Sequence, residues 1–146
     1  MKTPEIEYWN TFTQSMAAEI GLRDWRFQIR YDKNKGNEHT ACITRIIGRK
    51  HAIITLTRRF LRQTNYGKAQ TIAHELIHCH TGALQDLISD LEGVLPAEAF
   101  HILYNEHERL LEFAVDALAD VVADHLSDVI RERMGPDITK ISSLRS

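Results

Sequence analysis

Two histidines four positions apart, His74 and His78, lie on a segment whose apolar residues fall on the opposite side, and no other feature constrains the fold as tightly. Successive helical residues turn by about 100°, so positions four apart stand nearly above one another. Ile72, Ala73 and Leu76 then face away from the two imidazoles. Such a helix must anchor one side in a core and turn the other to a cleft. Thr64 or Asn65 is placed to cap its start, and Gly82 to end it.

The chemistry follows from the residue between the histidines. His74-Glu75-Leu76-Ile77-His78 offers two imidazoles that can grip one ion and a carboxylate that can take a proton from water. Zinc lowers the pKa of a water it holds to about 7, where such a base is effective. Catalytic zinc takes three protein ligands. A third histidine close by would require Gly and His where Thr81 and Leu84 stand. A carboxylate from a later helix is the other source, and Glu108 and Glu112, one turn apart, both qualify. Only Glu112 has an Asp, Asp116, one turn further on. His101, Tyr104 and Asn105 are candidates for donating to a developing oxyanion, or are polar residues of a solvated face.

His74-Glu75-x-x-His78 followed by Glu112-x-x-x-Asp116 resembles the gluzincin pattern of zinc metallopeptidases. The chain also resembles small zincin-type proteins encoded by phages and prophages. The resemblance implies one zinc held by His74, His78 and Glu112, with Glu75 as general base. It implies that Asp116 fixes the tautomer of a ligand histidine, and that the substrate is a peptide or protein. Glu112 lies 34 positions after His78, more than in the best-known members, so an extra helix is expected between them. No counterpart is evident for the His or Tyr with which many gluzincins steady the tetrahedral intermediate. The reading from another class is a metal-stabilised binding or regulatory module without turnover.

The remaining pattern predicts an α+β, compact zincin-like domain over 1–136 and a loose C-terminal tail over 137–146. Pro4 opens an N-terminal helix carrying Ile6, Trp9, Phe12, Met16 and Ile20, which stops near Gly21. Trp25–Tyr31 alternates as a strand, Asp32–Glu38 is a polar turn, and Thr40–Ile47 and Ala52–Thr57 are strands joined at Gly48-Arg49-Lys50. These make a small three-stranded meander ahead of the metal helix. A short helix over Ala83–Leu91, a break at Gly93 and a helix from Pro96 to Met134 form the C-terminal half. That last helix would reach roughly 55 Å unbroken, so a bend or break near Asn105 is expected. Its core stripe reads Leu111, Ala114, Val115, Leu118, Val121, Val122 and Val129.

Composition excludes some classes. No apolar run approaches the ~18–20 residues of a membrane span, so no membrane association is expected. Cys42 and Cys79 form no disulfide framework, which suits a cytoplasmic setting, and both read as core residues. Seven Lys or Arg and no carboxylate lie between His39 and His74. A pI near 6.4 without interleaved aromatics argues against nucleic acid as the partner and for a solvated rim or a dock for acidic helices. Acids recur at every fourth position from Glu108 to Glu132, and a step of four drifts about 40°. Asp120 and Asp124 are therefore expected to point to solvent, with function confined to the start of the stripe.

Overall fold

The computed structural model describes residues 1, 3–35, 38–46 and 48–135. The expected tail over 137–146 and the boundary at 136 lie outside these residues, as do Ile47 and part of the 32–38 turn. The fold is α+β, a three-stranded sheet with mostly helical surroundings.

The first helix, α1 (Thr3–Glu19), buries Trp9, Phe12 and Met16 on one side. Gly21, at φ 87°, takes the chain out of it in a backbone conformation costly for any residue with a Cβ. The strands are β1 (Arg26–Tyr31), β2 (Ala41–Arg45) and β3 (His51–Leu56). They do not form the expected meander: the order is β1-β3-β2, with β1 parallel and β2 antiparallel to β3. The reason lies in their residues. β3 buries Ala52, Ile54 and Leu56 and takes the centre, whereas β1 and β2 carry arginines, which solvent accommodates at an edge.

The two edges are treated differently. Along β1, Asn10 of α1 accepts from the Ile29 N–H at 2.7 Å and Gln14 donates to the Trp25 carbonyl at 2.9 Å, so a helix covers that edge. β2 has β3 on one side and, among the described residues, no strand on the other.

Thr57 caps a one-turn helix that sequence reading missed, α2 (Arg58–Leu61), which buries Phe60. Next comes α3 (Asn65–Ser89), capped by the Thr64 hydroxyl, which accepts from the Gly67 N–H at 3.1 Å. It runs straight through Gly82, so the expected stop there and the separate helix over 83–91 are both overturned. Gly82 serves a different need: a Cβ there would lie 1.9 Å from Arg45 Nη1. The missing side chain lets the Arg45 guanidinium lie on the helix and bind Asp86 through both oxygens, at 3.2 and 2.9 Å.

The last helix, α4 (Ala97–Met134), is continuous for 38 residues, without the expected break near Asn105. It lies along α3 and buries Leu111, Val115, Ala119, Ala123, Ser127 and Ile130. Ala114, Leu118, Val121 and Val129 of the expected stripe are exposed. Steps of four put small residues, Ala119 and Ala123, at fully buried positions, and small side chains let packed helices come close. Large residues would hold the helices apart there. Among the described residues no helix is long and apolar enough to cross a membrane.

Candidate metal centre

The core side of α3 fixes the site. Ile72, Ala73 and Leu76 are fully buried, which turns His74 and His78 toward α4 and the mouth of a cleft. α4 runs back along α3 and presents Glu112 to both imidazoles. His74 Nε2 lies 3.4 Å from one Glu112 oxygen, and His78 Nε2 lies 3.5 Å from the other. The two Nε2 atoms are 3.1 Å apart.

These separations suit a metal ion. An ion with tetrahedral ligands at about 2.0–2.2 Å, as zinc has, sets neighbouring ligand atoms about 3.4 Å apart. The donor set also fits, two imidazole nitrogens and a carboxylate, with His74, His78 and Glu112 able to hold one ion together. His74 is supported from behind: its Nδ1 lies 2.8 Å from Asp116 Oδ1. With Nδ1–H donating to that carboxylate, Nε2 keeps its lone pair for the ion. Burial pushes His78 below its ordinary pKa and the neighbouring His74 adds to this, against the charges of Glu112 and Glu108. A neutral imidazole is the ligating form.

Glu75 is only 7% exposed, between α3 and β2. Burial pushes its pKa up to about 7, and the charge of Glu112 adds to the rise. His74, the Ile43 backbone and Lys35 act in the opposite direction. A carboxyl group poised there can both take and return a proton near neutrality.

Glu108 is not at the ligand cluster. It accepts from Gln85 at 3.1 Å and lies 3.7 Å from His107 Nδ1, one turn of α4 before Glu112. Asp120 and Asp124 are exposed, as expected, yet both stay beside α3. Asp120 accepts from Gln70 at 2.6 Å, and Tyr66 hydrogen-bonds to Asp124, which raises the phenol's pKa. The pairs 66–124, 70–120, 74–116 and 78–112 share one sum of residue numbers, 190. Rows of every fourth residue form ridges on both helices, and such ridges can run side by side where two helices pack.

Two clefts meet over this cluster. The larger, about 900 Å³, runs along β2 past Ile43, Cys79 and Arg45. The smaller, about 320 Å³, reaches Arg59, Gln70 and Thr71. His101, Tyr104 and Asn105 line neither. Cys79 is buried, which pushes its thiol up to about 12, whereas Cys42 is half-buried in the cleft wall with Lys35 Nζ at 2.6 Å, not a core residue. Arg45 pairs with Asp86 of α3.

Sequence reading missed Arg45, His39 and Gln70. Gln70 and Tyr66 could have been found by continuing the His78–His74 row backwards in steps of four. Nothing in sequence spacing brings His39 or Arg45 to the site, since both arrive through sheet pairing. No family model, curated protein or solved structure matches the chain.

Proposed function

We propose that this is a zincin-like metallopeptidase of the gluzincin type, hydrolysing peptide bonds with one zinc held by His74, His78 and Glu112. The observation that carries the reading is two imidazole nitrogens 3.1 Å apart, lying 3.4 and 3.5 Å from the two oxygens of the Glu112 carboxylate, beside a buried carboxyl group. Zinc, when bound, supplies Lewis acidity and a water of lowered pKa. Glu75 takes the proton from water and returns it to the departing amine. Asp116 holds His74 in its ligating tautomer. The edge of β2 that no described strand pairs with borders the larger cleft and suits an extended polypeptide, which would pair with its free positions through main-chain hydrogen bonds.

Metal analysis with a peptide-library cleavage profile tests this. The protein should carry about one zinc per chain, and His74→Ala, His78→Ala and Glu112→Ala should strip it. Glu75→Gln should keep the zinc and slow cleavage by roughly 10²–10⁴. Zinc binding undiminished in His78→Ala would refute the ligand set. A zinc-loaded protein that cuts nothing in a thorough library would be the binding or regulatory module.

A further inference from the structure

We infer that His39 is the side chain that hydrogen-bonds the substrate's carbonyl oxygen as negative charge develops on it. This rests on the hydrolytic reading above, for which neither histidine nor tyrosine of α4 is in place.

Four residues line both clefts where they meet: His39, Ala41, His74 and Glu75. His74 belongs to the ligand set, Glu75 is the base, and Ala41 has no polar side chain. His39 is therefore the one donor left at the junction. Its imidazole makes no hydrogen bond or ion pair among the described residues, so no structural task occupies it. The segment that carries it is nevertheless firmly held. The Thr57 hydroxyl, 1% exposed, is shared between the carbonyls of His39 at 2.8 Å and Thr40 at 3.0 Å. The Thr57 N–H also donates to the Thr40 carbonyl at 3.1 Å, and Arg59 reaches the Glu38 carbonyl at 3.5 Å.

Three successive carbonyls are thus tied to the start of α2, which leaves little but the ring torsions of His39 to be ordered on binding. His39 is exposed at the junction, and with its backbone held only side-chain torsions remain to be ordered, so little reorganisation opposes oxyanion stabilisation by its N–H. The other donors fare worse. Arg45 is engaged by Asp86, and Gln70 by Asp120. Thr71 donates to Gln63 at 3.1 Å.

The probe is methylphosphonate, a tetrahedral anion, titrated into zinc-loaded protein by calorimetry with the metal-free protein as blank. His39→Ala should weaken zinc-dependent binding about 10–100-fold, the range expected for one hydrogen bond to a charged group. Zinc affinity and melting temperature should stay at parental values. His39→Gln, which retains an N–H donor, should recover most of the loss. On any peptide that the parent cleaves, His39→Ala should lower kcat and leave KM unchanged. Equal phosphonate affinity in parent and His39→Ala would overturn the assignment, as would a parallel loss of zinc affinity or a Gln variant no better than Ala. Failure of the hydrolytic reading is a separate result: no peptide is cut, while the phosphonate titration still decides what His39 does.

Discussion

Glu75→Gln should stabilise the metal-free protein, and increasingly so as pH rises. The side chain is 7% exposed, and burial holds its pKa at about 7 against an ordinary 4.5. Below about pH 4.5 the carboxyl is protonated whether the chain is folded or not, and its titration contributes nothing to the difference. Between the two values the unfolded chain gives up its proton and the folded one keeps it. Stability therefore falls as pH rises, by about 1.4 kcal/mol per unit, and levels off above about pH 7. The full loss, over a shift of about 2.5 units, is about 3 kcal/mol. Glutamine has the same shape and does not titrate. Other titrating groups are common to both proteins and cancel in the comparison. Urea denaturation at about pH 5 and about pH 8 should show the variant's advantage growing by about 2–3 kcal/mol. A chelator must be present throughout, because a cation at the histidines favours the ionised carboxylate and masks the effect. A gap that stays constant, or that narrows toward alkaline pH, would refute the argument that burial dominates at Glu75.

Three further variants test the site and the helix that completes it. Asp116→Ala removes the partner of His74 Nδ1 and should lower zinc affinity about 10–100-fold without unfolding the chain; unchanged affinity in a chelator competition would reduce Asp116 to one more rung of the interhelical row. On α4, Ile130→Ala should cost about 2–5 kcal/mol, since Ile130 is fully buried, whereas Phe113→Ala, at a position 70% exposed, should change stability by under about 0.5 kcal/mol; similar losses from both would mean the helix turns a different side to the core.

The local parts of this protein were readable from its residues, and the parts made by distant pairing were not. The Thr64 cap, the apolar side of α3 and the two histidines follow from spacing within one helix, and the structure places them as that spacing requires. The placement of Glu112 and Asp116 beside the histidines was legible in the Glu-x-x-x-Asp spacing on a second helix. The sheet order was not, since alternation marks a strand but not its neighbour, and the central place of β3 is settled only when three strands compete for burial. Gly82 misled for a physical reason. A glycine reads as a helix stop when only its backbone freedom is considered, and here its use is the space it leaves for Arg45. The stripe of α4 misled similarly: an isolated helix shows where the bulky residues are, but the closeness of α3 decides that alanines go inside.

The row of pairs summing to 190 behaves as a ratchet. Seven acids at intervals of four make each rung nearly interchangeable with the next, so sliding α4 by one turn, about 5.4 Å, would set acids opposite His74 and His78 once more. The polar side alone scarcely distinguishes one tooth from another. The apolar side does, because Leu111 and Val115 give way to Ala119 and Ala123 along the same edge, and a slip would put bulk where the helices nearly touch. An ion clasped by Glu112 adds a pawl to this ratchet. It would fasten one tooth, and through two continuous helices set the alignment of the others, as far as Tyr66. Loading the centre should thus be felt along the whole length of the α3–α4 pair, several turns from the nearest ligand.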